Sequence, residues 1–204
     1  LFADKLPRPR IGLAHSMGGA ILLRAMQTRR VELDGAAFSA PMWGIASLNK
    51  FAKRYASFMT SVGAGGMFAP SVDTRWKREP FKNNPVTNDE ARHARCQDLI
   101  SQEPRLALAG PTLGWVAAAG GVIEAIAQPS ASAHLRVPIL VATASEELLV
   151  DNASHDRVVA GLPDAVHITI PGAKHEILME KDEARAQFWA AFDALAARVA
   201  PAHA

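Results

Sequence analysis

The stretch RIGLAHSMGGAILLRAMQTR, residues 10–29, decides how the rest of the chain is read. Its opening, 10–14 (RIGLA), is short and apolar, the pattern of a buried strand. From Met17 onward, Ile21, Leu22 and Ala25 fall three to four residues apart and basic residues gather at the end, which predicts a helix over 17–29. Between the two stands Ser16, with Ala14 two places before it and Gly18 two places after. A strand turning sharply into a helix at a serine between small residues is the setting of a nucleophile elbow. The turn holds the serine in a strained backbone conformation and lifts its hydroxyl above the sheet. The helix start points unpaired N–H groups at that hydroxyl, and Met17 N–H is placed to stabilise an oxyanion. The competing account is a serine that merely caps a helix. His15 reads as structural, because adjacent side chains diverge at such a turn.

Outward from this stretch, 35–39 (GAAFS), 138–144 (PILVATA) and 165–170 (AVHITI) read as further strands, and 154–160 and 183–199 as helices. Strands alternating with helices predict an α/β chain with a parallel sheet covered on both faces. The interval 42–135 breaks that rhythm. It is glycine-rich at 63–66, otherwise helical in pattern, and holds Trp43, Trp76, Trp115 and the only tyrosine, Tyr55. It is expected to be a mainly helical cap inserted into a core made of 1–41 and 136–204. Within it Phe51, Tyr55, Phe58 and Met59 fall at helical spacing, with Lys50, Lys53 and Arg54 turned away. That stripe is expected to pack on the sheet domain; the alternative is peripheral contact with an anionic membrane. The uncharged run 106–123 approaches the length of a membrane span, but its Gly110-Pro111 step breaks it.

Composition closes off other classes. Of 204 residues, 49% are hydrophobic and 21% charged, which excludes a disordered tail. Lysine and arginine number 22 against 20 acids, too even a balance for an obvious nucleic-acid binder. A single cysteine, Cys96, excludes an internal disulfide and a zinc site built on cysteine pairs, so a reducing, cytoplasmic setting is expected.

A serine nucleophile needs a base near neutrality, and the chain has seven histidines. His203 lies in the tail, His93 and His134 in or beside the cap, His167 inside a strand, and His155 near the start of a short helix, where a surface position is expected. His175 follows the last strand after Pro171-Gly172-Ala173-Lys174. In a parallel sheet the loop after every strand opens on one edge, so His175 is best placed to meet Ser16. The orienting acid should leave the preceding strand on that edge, where Glu146, Glu147 and Asp151 are all available. The order serine, acid, histidine is the order of α/β-hydrolases.

On HSMGG (15–19), GAKHEILMEKD (172–182) and this order of parts, the chain resembles the α/β-hydrolase superfamily. Within it, the chain is similar to monoacylglycerol lipases and to the bacterial lysophospholipases grouped as serine aminopeptidase S33; GPTLGW (110–115) and VDNASHDR (150–157) resemble the lysophospholipase branch. The resemblance implies Ser16 as nucleophile, His175 as base, Met17 as oxyanion donor, and Glu147, nine residues after Pro138, as the acid, with Asp151 second. It implies a lipid-like ester as substrate and no metal or organic cofactor. In the family several strands and a His-Gly loop that supplies the second oxyanion donor precede the serine. That region would lie before Leu1, so the chain is expected to be the C-terminal two-thirds of a longer protein, nearly inactive alone. The rival readings are an S33-type aminopeptidase, which needs an acidic anchor among Glu79, Asp89, Glu90, Asp98, Glu103 or Glu124, and a catalytically incomplete fragment.

Overall fold

The computed structural model describes residues 5–70 and 72–200; His203 lies outside them. Four strands form one sheet in the order of the sequence: β1 (Ile11–His15), β2 (Gly35–Ser39), β3 (Ile139–Ala144) and β4 (Ala165–Ile170). All three pairings are parallel, with His15 opposite Ser39, Ser39 opposite Ala142, and Ala144 opposite Ile170. The strand ends at His15, Ser39, Ala144 and Ile170 therefore share one edge, and the segments that follow them open there together.

Two helices complete crossovers between neighbouring strands, α1 (Met17–Gln27) and α6 (Asn152–Val159), and α7 (Asp182–Val199) closes the chain. β2 and β3 are buried at every position because both faces are covered, and strict alternation divides their side chains. Ala36, Phe38, Ile139 and Val141 pack with Leu23 and Met26 of α1 and Val158 of α6. Ala37, Leu140 and Ala142 face the other way, onto Phe188 and Leu195 of α7. Among the described residues β1 pairs only with β2, and Leu13 on β1 and Ile21 on α1 are exposed.

Between β2 and β3 lie α2 (Lys50–Ser61), α3 (Glu90–Gln102), α4 (Leu113–Ile126) and the short α5 (Pro129–Ser132). The latter part of α4 belongs to the sheet core: Ala119 and Ile126 pack in the cluster of Leu23 and Phe38. Buried Gln27 secures it by donating to Ile126 O and Ser132 Oγ. The run 106–123 becomes α-helical only from Leu113, and among the described residues no helix is long and apolar enough to cross a membrane.

The stripe on α2 departs from expectation. Phe51 and Phe58 are 84% and 63% exposed, and Tyr55 is half exposed, so the stripe does not pack on the sheet. The face that packs is a smaller one. Ala56 is fully buried, and the Lys53 stem crosses α4 at Gly120 while its ammonium pairs with Glu124. Alanine and glycine let α2 and α4 approach closely, which leaves Phe58 on the outer side and Phe51 and Tyr55 along a cavity open to solvent.

Residues 84–89 form a strap on the loop that carries His175. Glu176 N–H donates to Val86 O at 2.8 Å, and Lys174 Nζ to Asn84 O at 3.1 Å. The buried Glu180 carboxylate accepts from Asn88 N–H and Lys174 N–H, both at 2.9 Å, and so joins strap and loop through one side chain.

Candidate active site

Ser16 sits between β1 and α1 with φ 49° and ψ −121°, a conformation that strains any residue with a Cβ. Three backbone bonds hold it there. Its N–H donates to Ser39 O at 3.1 Å, and its carbonyl accepts from Gly19 N–H at 2.9 Å and Met42 N–H at 2.8 Å. Its hydroxyl makes no capping bond to α1, which sets aside the helix-cap account. The hydroxyl lies instead 2.8 Å from His175 Nε2. Gly18 is less crowded than the elbow pattern suggests, since a Cβ there would stand 3.9 Å from Ala14 Cβ. The tight contact is one residue on: a Cβ on Gly19 would fall 2.7 Å from Pro41 Cβ.

His175 is buried, and its Nδ1–H donates to Glu147 Oε2 at 2.8 Å. That leaves Nε2 as the acceptor facing the serine O–H. The Glu147 side chain is wholly buried. Its other oxygen accepts from the N–H groups of Leu148, Leu149 and Val150 at 3.0, 2.7 and 3.3 Å, so the loop that follows β3 curls around it. Burial pushes this carboxyl up, but the bonds from His175, Leu149 and Val150 outweigh it and hold Glu147 below the usual carboxylate range. The other two acids are engaged elsewhere. Asp151 caps α6 and pairs with Arg157, and Glu146 accepts from Asn88 Nδ2. Met17 stands at the first position of α1, where an N–H has no intrahelical acceptor.

His155 is fully buried, against the surface position expected of it. Its Nε2–H donates to Pro41 O at 2.7 Å and its Nδ1 accepts from Thr143 Oγ1 at 2.7 Å. Thr143 in turn accepts from His167 Nε2 at 2.7 Å. Both ring nitrogens of His155 are satisfied, so burial lowers its basicity without leaving a polar group stranded. His93 is buried with its ring against Phe81. Sequence reasoning passed over Thr143 and Glu176; the second was signalled only by its adjacency to His175.

Beside the serine turn, the indole N–H of Trp115 meets the Met17 sulfur at 3.2 Å. Trp115 also lines a cavity of about 540 Å³, whose walls include Ile45, Leu48, Phe51, Tyr55 and Val72. Among the described residues this lining contains no acid. Four of the acids that could anchor an ammonium are paired with cations: Asp89 with Arg92, Asp98 with Arg78, Glu103 with Arg105, and Glu124 with Lys53.

A parallel sheet flanked by helices, with a strained serine at the first strand-to-helix turn and a histidine after the last strand, defines an α/β-hydrolase fold. The chain belongs to the family whose model is described as serine aminopeptidase, S33 (Hydrolase_4), which matches residues 3–182. It is 33% identical over 199 aligned positions to lysophospholipase L2 of Escherichia coli K12, covering 87% of this chain and 54% of that protein. It is 28% identical to a probable lysophospholipase L2 of Haemophilus influenzae, covering 85% of this chain and 55% of that one. The chain thus spans about half the length of the curated relatives it matches. Among solved structures it is similar to a monoglyceride lipase of Saccharomyces cerevisiae, with a TM-score of 0.72 at 16% identity over 98% of this chain and 67% of that one. A carboxyl esterase of Bacillus coagulans gives 0.71 at 15% identity over 97% and 66%. At these identities the two structures speak for the fold.

Proposed function

We propose that the protein is a serine hydrolase of carboxylic esters in lipids, of the lysophospholipase or monoacylglycerol lipase type. The observation that carries this reading is the unbroken chain of contacts from Ser16 through His175 to Glu147, beside an apolar cavity. His175 Nε2 takes the Ser16 proton as Oγ attacks the ester carbonyl, and Glu147 holds the ring in the required tautomer and stabilises its cation. Met17 N–H donates to the oxyanion. As the carbon–oxygen bond to the alcohol breaks, His175 returns the proton to the leaving oxygen. Water then repeats the sequence on the acyl-serine, releasing the fatty acid and freeing Ser16.

The cavity wall of Leu48, Phe51, Tyr55 and Trp115 suits a hydrocarbon chain, and the part of 42–135 that includes α2 and the start of α4 acts in this reading as the cap that supplies it, while the end of α4 stays with the sheet core. Exposed Phe51 and Phe58, with Lys50 and Arg54 on the same helix, support contact between this cap and a lipid surface. The aminopeptidase alternative is disfavoured by the acid-free lining. Parallel assays with a p-nitrophenyl acyl ester and an aminoacyl anilide separate the two. The ester should be cleaved, the anilide should not, and Ser16→Ala should abolish both turnover and labelling by a fluorophosphonate. Full turnover in Ser16→Ala, or preference for the anilide, refutes the proposal.

A further inference from the structure

A second imidazole and a second carboxylate stand directly against the first pair. The ring of His15 lies 4.8 Å, centroid to centroid, from the ring of His175. His15 Nδ1 is 2.9 Å from Ser39 O, and a carbonyl can only accept, so Nδ1 carries a proton. The same Ser39 O accepts the N–H of Ser16, so one carbonyl anchors both the elbow backbone and the His15 ring. His15 Nε2 is shielded from solvent and has no hydrogen-bond partner. Its ionic neighbour is Glu176 Oε2 at 3.3 Å. A neutral ring leaves this shielded nitrogen without a proton 3.3 Å from a carboxylate. A proton on Nε2 makes that contact an ion pair.

The charged and titratable groups facing His15 come from two loops. Glu176 and His175 follow β4, and Glu147 follows β3. Burial opposes charge on the His15 ring, but Glu176, the Ser39 carbonyl and Glu147 outweigh it and raise His15 above the ordinary histidine value. Burial likewise opposes charge on Glu176, and His15 and His175 hold it below the ordinary range.

We propose that His15 and Glu176 are a positioning ion pair for the Ser16–His175 couple. The pair staples the serine turn to the loop that carries the base, and its cation offsets the Glu176 anion beside the base, so that His175 stays ready to take the serine proton. This rests on the hydrolase reading above for its catalytic part; the ion pair itself stands on geometry alone. Neither residue touches the reacting atoms. Glu176 brings a carboxylate to the serine's loop, but unpaired it would favour an imidazolium at His175, which cannot act as base. His15 is the counter-charge that prevents this.

The test has two arms. The first needs no activity: imidazole resonances of isotopically labelled protein are followed against pH, and the His15 signal is identified by its absence from His15→Asn. It should titrate above an ordinary histidine and move down in Glu176→Gln. A His15 that titrates at or below an ordinary histidine, or that ignores Glu176→Gln, overturns the proposal. The second arm follows phosphonylation of Ser16 by a p-nitrophenyl phosphonate against pH. Asparagine at 15 can keep the donor to Ser39 O but carries no charge. In His15→Asn the acid limb of the profile should therefore move to higher pH, as an anion beside the base that has lost its counter-charge implies. Removing both charges in His15→Asn/Glu176→Gln should bring the limb back. A slower reaction with an unmoved limb is what a purely structural role gives, and it overturns the positioning claim. A parent protein whose Ser16 never reacts refutes the hydrolase reading instead, and the first arm still decides the ion pair.

Discussion

Two adjacent glycines at the serine turn show how local the constraints are. Gly19 faces Pro41, whose Cβ and Cα would lie 2.7 and 3.1 Å from an added Cβ, whereas Gly18 has room for a methyl group. Gly19→Ala should destabilise the protein by about 1–3 kcal/mol through overpacking. Gly18→Ala should stabilise it by up to about 1 kcal/mol through helix propensity; chemical denaturation of both variants checks the contrast. Glu147 has a different kind of constraint. Glutamine can keep the three amide bonds through its carbonyl oxygen, but it then offers an NH₂ to His175 Nδ1–H, two donors in opposition. Glu147→Gln should lower turnover on the order of 10³–10⁴-fold with little change in stability, read from kcat beside a melting curve. His155 sets a pH limit. Its folded form resists protonation, so the unfolded chain binds the proton first. Stability should fall as pH drops below about 6.5, the unfolded histidine value, and level off below the depressed folded one. Thr143→Val should cost about 1–3 kcal/mol by stranding both imidazoles, measured by urea unfolding at pH 7.5.

At the scale of elements, the sequence was most legible where turns bracket short apolar runs. The 35–39 and 165–170 strands match β2 and β4 residue for residue, because an acid-glycine step opens one and Pro171-Gly172 ends the other. The helix after Ser16 stops earlier than its periodicity suggests, at Gln27, because Thr28 bonds back to Arg24 O and Arg29 takes φ 55°. The nearness of Ser16, His175 and the loop after β3 followed from topology, because parallel strands deliver all their following loops to one edge; the choice of Glu147 over Glu146 and Asp151 within that loop came from the family resemblance. Three things could not be read. Amphipathicity on α2 says that its sides differ but not which neighbour will cover which side, and Ala56 with Gly120 settled that in favour of the smaller face. The depth of His155 depended on Pro41 O, 114 residues away, and on Thr143, 12 residues away, which no local pattern contains. Glu176 was hidden for the same reason, since its meaning depends on the distant His15.

At the scale of the whole molecule, the open side of β1 is the most exposed weakness among the described residues. It offers unpaired backbone groups beside exposed Leu13 and Ile21. The 204-residue chain on its own should associate in a concentration-dependent way, and Leu13→Lys should reduce this without shifting the melting temperature; light scattering across a dilution series tests it. The strap at 84–89 has the opposite character, because it bolts the middle of the inserted region to the loop that carries His175. α2, by contrast, rests chiefly on α4, and its outer side is bare. The two flanks of the inserted region are therefore mechanically unequal. If the cavity mouth widens to admit a guest, the yielding flank is α2, while the imidazole is carried on the fixed one. For the proposed hydrolase this assigns substrate entry to the loosely held flank and keeps the imidazole on the strapped one.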